Sequence, residues 1–192
     1  SEYRQRQGAL ELERQKLSRL RTTPAKTLDG SSVELHANIE LPNDVNEALK
    51  AGAAGVGLFR SEFLFLNRSD LPGEDEQYEA YRHVAQTMRG KPVTIRTLDL
   101  GADKSIASHH LPGPNPALGL RAIRYCLAEP LLFLTQLRAI LRASQHGRIR
   151  LLIPMLAHQH EIEQTFNAIA QARASLDEQG IKYDRKMAIG GM

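Results

Sequence analysis

The stretch GVGLFRSEFLFLNRSDLPGEDEQYEAYRHVAQTMRGKPVTIRTLDL, residues 55–100, decides the fold. GVGLFRSE (55–62) is strand-like. EDEQYEAYRHVAQTMRG (74–90) is helical, with acids in its first turn and Gly90 at its end. PVTIRTLDL (92–100) is a strand rich in β-branched residues. The same rhythm runs outward in both directions. Upstream lie a strand, VELHANIEL (33–41), and a helix, DVNEALKAGA (44–53), with Asn43 as its expected N-cap. Downstream, PALGLRAIRYCLAEP and LLFLTQLRAILRASQHG (116–147) are helical, RIRLLIPML (148–156) is a strand, EIEQTFNAIAQARASLDEQG (161–180) a helix, and KMAIGGM (186–192) a fifth strand.

Alternation of this kind predicts an α/β protein of parallel (β/α) units, its sheet buried and its crossovers right-handed. No sequence repeat accompanies the pattern. A closed barrel needs eight units and typically ~250 residues. About five units are legible here, so the sheet is either open or part of a barrel.

Residues 1–22 read as a charged helix with Leu10, Leu17 and Leu20 near one face. Pro24 and the Asp29-Gly30 turn then interrupt the chain. The expected division is a helical linker arm over 1–30 and a (β/α) domain over 31–192, although a helix merely lying on the surface fits the arm equally well.

The composition is that of an ordinary globular protein: 192 residues, 42% hydrophobic and 24% charged. It excludes collagen-like, low-complexity and disordered chains. Seven of the 25 Lys and Arg and four of the 22 Asp and Glu fall in residues 1–30, so the net +3 belongs to the arm and the remainder is balanced. No basic stripe with interleaved aromatics appears, which argues against a nucleic-acid partner. Cys126 is the only cysteine, so no internal disulfide and no cysteine cluster for zinc can form. No apolar run approaches a membrane-helix length and no signal peptide opens the sequence. The expectation is a reduced, cytoplasmic protein without membrane insertion.

Ligands of parallel (β/α) folds bind at the C-terminal ends of the strands. Those ends carry Arg60-Ser61-Glu62, Arg96-Thr97-Leu98-Asp99 and Gly101-Ala102-Asp103-Lys104. Two guanidinium forks at neighbouring strand ends suit a phosphate or carboxylate gripped bidentately. Ion pairing of Arg60 with Glu62 and of Arg96 with Asp99 accounts for the spacing equally well. Arg121 and Arg124, on or before a helix, read more readily as surface arginines, although Arg121 could reach back over the strand ends. His109, His110, His158 and His160 read as solvated turn residues. Gly55, Gly57 and Gly101 form no dinucleotide fingerprint. Cys126, amid Ile123, Tyr125 and Leu127, reads as core.

At these residues a resemblance enters. GVGLFRSEFLFLNRSDLPGEDEQYEAY, TIRTLDLGADK, NPALGLRAIR, QLRAILRAS and LLIPML, in this order, resemble the enzyme I family of the bacterial phosphotransferase system, the phosphoenolpyruvate–protein phosphotransferases. The resemblance runs from about Val33 to Met192, and the arm looks like the helical linker that precedes the barrel in that family. It implies part of a TIM-type barrel, about five of eight units, that binds phosphoenolpyruvate with Mg²⁺. It further implies phosphoryl transfer to a histidine on a separate N-terminal domain and on to the carrier HPr for sugar uptake, and a homodimeric parent enzyme.

By the same resemblance, Arg60 and Arg96 bind phosphoenolpyruvate, while Asn38, Asp99 and Arg121 line the pocket. The phosphohistidine motif is absent from these 192 residues. The family's metal carboxylates, a further phosphoenolpyruvate arginine and its catalytic cysteine are expected beyond Met192, and Cys126 does not match that cysteine. These residues alone are accordingly expected to be inactive. The motifs LPGEDEQYEAY and GADK favour enzyme I over pyruvate phosphate dikinase and phosphoenolpyruvate synthase. The nitrogen-related paralogue of enzyme I, and a non-catalytic dimerisation or interaction module, are the alternatives.

Overall fold

A computed structural model describes residues 2–101 and 119–192. Asp103, Lys104, His109, His110 and the start of the NPALGLRAIR motif lie outside the described residues. In chain order the elements are α1 (Glu2–Leu20), β1 (His36–Ile39), α2 (Asp44–Lys50), β2 (Gly55–Arg60), α3 (Glu74–Thr87), β3 (Val93–Arg96), α4 (Ile123–Ala128), α5 (Pro130–Ala143), β4 (Ile149–Ile153), α6 (Gln159–Glu178) and β5 (Ala188–Gly191). Among the described residues the strands form one five-stranded parallel sheet in the order β1-β2-β3-β4-β5.

That order answers the question left by the sequence. A doubly wound sheet reverses its strand order at a switch point and carries helices on both faces. Here each strand pairs with the next, and burial alternates. Along β4, Ile149, Leu151 and Ile153 are buried while Arg150 and Leu152 are only partly so. One face therefore carries the helix layer and the other faces inward, as in part of a (β/α) barrel.

The core lies between sheet and helices. Ile39, Val56, Phe59, Val93, Ile95, Ile149, Leu151 and Ile153 meet Tyr81, Val84 and Ala85 of α3, Phe133, Leu137, Ile140 and Leu141 of α5, and Ile169, Ala172 and Leu176 of α6. The helical residues recur at intervals of three and four, the periodicity of one buried helix face. The Phe59 ring meets Tyr81 edge-on at 5.8 Å between centroids.

Several element ends differ from the sequence reading. Asn43 occupies the N-cap position of α2 but makes no side-chain cap bond. Instead Asp44 Oδ2 accepts the backbone N–H of Glu40 and Leu41, tying α2 to the end of β1. The helix after β2 stops at Thr87, before the left-handed pair Arg89 and Gly90. Arg121 precedes α4 in a turn whose Ala122 has φ +51°, so it is not a helical residue. His160 lies in the first turn of α6, its ring 5.8 Å from that of His158, the residue preceding the helix. Leu10, Leu17 and Leu20 of α1 are exposed.

Candidate functional site

Period-two alternation sets the site. Phe59 and Ile95 face the helices, so the next residues on β2 and β3, Arg60 and Arg96, face the other way at the C-terminal strand ends. The two strands run in register there, with Arg60 opposite Arg96.

Their guanidiniums meet on one atom. Glu62 Oε1 accepts from Arg60 Nε at 3.2 Å and from Arg96 Nη2 at 2.5 Å. Glu62 stands in a short 3-10 turn, Ser61–Leu64, that directly continues β2. The turn folds the carboxylate back between the two strand tips.

The cluster extends on both sides. Arg60 Nη1 also donates to Glu40 Oε1 at 2.6 Å, just past β1. Arg96 Nη1 lies 3.1 Å from Asp99 Oδ2, and Arg121 Nε donates to Asp99 Oδ1 at 3.0 Å. The order in space is Glu40, Arg60, Glu62, Arg96, Asp99, Arg121: three carboxylates alternating with three guanidiniums across the ends of three strands. Arg60 also stacks over the Phe63 ring at 4.8 Å.

Burial varies along this chain. Arg96 and Glu62 are buried at 7% and 4% exposure, whereas Arg60 and Arg121 are half-buried. Charges so far from water persist only when paired. Three polar atoms at the same strand ends have no hydrogen-bond partner among the described residues: Glu62 Oε2, Arg96 Nε and Thr97 Oγ1. Glu62 Oε2 and Arg96 Nε, both within the charged cluster, thus keep capacity for a further polar contact.

The ion-pairing reading of the arginines holds, and the pairs bring the two guanidiniums together on Glu62. The pairs Arg60–Glu62 and Arg96–Asp99 exist, and the two forks do converge. Arg121 reaches back to Asp99, just past β3, instead of lying on a surface helix. Arg124 is directed elsewhere, 3.7 Å from Glu161 of α6. Asn38 lies on β1 opposite Leu58, two residues before Glu40. It is exposed, lines an open cleft against α2 with Asp44 and Ala48, and makes no hydrogen bond to the charged cluster among the described residues.

Cys126 is fully buried, its Sγ 4.0 Å from the Leu98 carbonyl oxygen, and burial pushes its thiol up to about 12. It is a core residue, as its apolar neighbours in sequence indicate.

Among the described residues no three His, Cys, Asp or Glu side chains gather as metal ligands. Both Asp99 oxygens and Glu62 Oε1 are engaged by arginines. A hard cation such as Mg²⁺ requires several free oxygens in near-octahedral array. The described residues do not fit it. Among them, no helix is long and apolar enough to cross a membrane.

Sequence reading did not find Glu40, the reach of Glu62 across to Arg96, or Gln136. Gln136 is a fully buried amide in α5, between Phe133 and Ile140. One polar amide on the apolar stripe of LLFLTQLRAIL is the signal that could have found it.

Comparison with known proteins follows the same lines. The model of the family described as PEP-utilising enzyme, PEP-binding domain, matches residues 14–192. The phosphoenolpyruvate-protein phosphotransferase of Cupriavidus necator is 59% identical over 195 residues, covering 100% of this chain and 33% of that protein. The protein of the same name from Geobacillus stearothermophilus is 43% identical over 193 residues, covering 100% of this chain and 33% of its own length. For the Bacillus subtilis protein, also of that name, the identity is 41% over 192 residues, with coverage of 100% and 34%. The chain thus spans about a third of the length of the curated relatives it matches.

Proposed function

The chain belongs to the family of PEP-utilising enzymes, as their PEP-binding domain, and from that membership we propose that it binds phosphoenolpyruvate for phosphoryl transfer in a larger phosphoenolpyruvate–protein phosphotransferase. One observation carries the reading: Arg60 and Arg96 hold a single anionic oxygen, Glu62 Oε1, between them. A site that grips one carboxylate oxygen from two sides can grip a phosphoryl oxygen in the same way. Arg60 and Arg96 are the phosphoryl-binding pair. Asp99 orients Arg96 and Arg121, and Arg121 and Asn38 line the approach.

In this reading the phosphorus–oxygen bond to the enol breaks as a phosphorus–nitrogen bond to a histidine forms. The released enolate takes up a proton to give pyruvate. The arginines bind and align the phosphoryl group and neutralise its equatorial oxygens. Being held in place before the reaction, they need no reorganisation during it. Because the described residues offer no cation site, no step here is routed through Mg²⁺, whose part in the reaction is proposed on family membership alone. HPr as the onward acceptor and a homodimeric parent enzyme belong to the same proposal, as does a boundary near residue 30 between arm and domain.

The test is phosphoryl transfer from phosphoenolpyruvate by the full-length protein carrying this chain. Arg96→Ala lowers the rate about 10²–10³-fold, the scale of one preorganised oxyanion contact. Arg96→Lys, which keeps the charge without the fork, recovers only part of it. A loss below tenfold for Arg96→Ala would reduce Arg96 to an ion-pair strut.

A further inference from the structure

Behind the charged cluster lies a second, uncharged network that is closed to solvent. Gln136, Ser61 and Tyr81 are each 0% exposed and Gln77 is 1% exposed. Gln136 Oε1 accepts the backbone N–H of Leu98 at 2.9 Å. Gln136 Nε2 donates to Ser61 Oγ at 3.0 Å and to the Tyr81 hydroxyl at 3.2 Å. Ser61 Oγ donates in turn to the Arg96 carbonyl oxygen at 2.6 Å. The Tyr81 hydroxyl donates to Gln77 Oε1 at 3.2 Å, and Gln77 Nε2 to the Pro72 carbonyl oxygen at 3.0 Å.

Each proton in this chain has one assignment. The Leu98 atom at Gln136 is its backbone N–H, so Gln136 must present its oxygen there and its amide hydrogens to the two hydroxyls. Each hydroxyl, having accepted, donates onward to a carbonyl oxygen. The network has one arrangement and no alternative, and burial makes any break in it costly.

What it fixes is the pair of strand ends that carry the charges. Ser61 lies between Arg60 and Glu62, and Leu98 lies next to Asp99, two residues beyond Arg96. One side chain on α5 thus holds the tip of β2 through Ser61 and the tip of β3 through Leu98, while Ser61 ties the two tips to each other. We infer that Gln136, acting through Ser61 and the Leu98 amide, is a positioning residue that sets the mutual geometry of the Arg60 and Arg96 guanidiniums for phosphoryl transfer. This rests on the arginine pair being the phosphoryl-binding site.

A side chain that merely stabilises the fold changes stability and leaves the turnover of folded enzyme alone. A positioning residue changes turnover, and does so only while the residue it positions is present. The experiment uses the full-length protein, at a temperature where every variant is folded, with kcat and KM for phosphoenolpyruvate measured for Gln136→Leu, Arg96→Ala and the double variant. Gln136→Leu is expected to lower kcat tenfold or more, and the double variant to be no slower than Arg96→Ala.

Should Gln136→Leu not fold, Ser61→Ala and Ser61→Thr carry the test. The first removes the hydroxyl on the Arg96 carbonyl and lowers kcat, and the second keeps the hydroxyl and recovers most of what the first loses. The inference is overturned if these variants lower thermal stability but leave kcat within twofold of the wild type. It is equally overturned if Gln136→Leu slows Arg96→Ala enzyme by the factor it slows the wild type. An Arg96→Ala enzyme as fast as the wild type would instead remove the arginine reading itself, and this inference with it.

Discussion

Arg60 and Arg96 stand opposite each other on neighbouring parallel strands, and one oxygen of Glu62 lies between them, 3.2 Å from Arg60 Nε and 2.5 Å from Arg96 Nη2. Two guanidiniums this close repel unless an anion separates them. In this structure Glu62 is that anion, and the same geometry suits a phosphoryl oxygen.

Removing the carboxylate should be costly. Glu62→Ala leaves the buried Arg96 without its shortest partner and facing a second cation, a loss of about 3–5 kcal/mol. Glu62→Gln keeps an accepting oxygen and loses clearly less. Urea denaturation of the two variants checks this. A loss under about 1 kcal/mol for Glu62→Ala would mean that the arginines do not depend on Glu62.

A pH prediction comes from the start of α6. Burial of Glu161 acts to raise its carboxyl, but the backbone N–H groups of Ala157 and His158, at 2.8 and 3.0 Å, and the nearby Arg124 outweigh it. The net direction is below the ordinary value of 4.5. A carboxylate lowered by folding stabilises the protein above its unfolded value and ceases to do so as pH falls through its folded value. Glu161→Ala therefore costs about 1 kcal/mol at neutral pH, the scale of a lost helix cap. The difference from the wild type shrinks as pH falls below the ordinary carboxylate range. Denaturation at pH 7 and pH 3 tests it, and an undiminished difference at pH 3 would contradict it.

Cys126 should be inert in the folded protein. Its thiol is buried and pushed up to about 12, so the reactive thiolate is nearly absent at neutral pH. Alkylation mapped by mass spectrometry should leave Cys126 unmodified under native conditions and modify it fully in denaturant. Rapid native labelling would contradict the packing described around α4.

The sequence made the strand and helix order legible because β-branched and apolar runs alternate with amphipathic segments throughout. The alternation by itself left barrel and open sheet undecided, since strand order is a property of pairing and no local pattern encodes it; the barrel was implied only by the family resemblance. The Arg60–Arg96 juxtaposition was legible because both residues end strands in adjacent units. The Arg96–Glu62 contact was not, because it joins positions 34 apart and depends on register and on the turn after β2. Asn43 and Asp44 are adjacent short polar residues, and only the course of β1 decides that Asp44 makes the bonds. Gln136 hid within an apolar helix face, where its partners come from three other segments of the chain.

The most direct measurement is equilibrium titration of phosphoenolpyruvate and of inorganic phosphate into the full-length protein, comparing wild type with Arg60→Ala, Arg96→Ala and the double variant. If both arginines hold one phosphoryl group, each single change weakens phosphoenolpyruvate about 10- to 100-fold, the scale of a charge-assisted contact. The double change then adds only a few-fold, because residues that share a ligand are not additive. Single variants that bind within threefold of the wild type, or losses that multiply as though the two sites were independent, would contradict the shared grip.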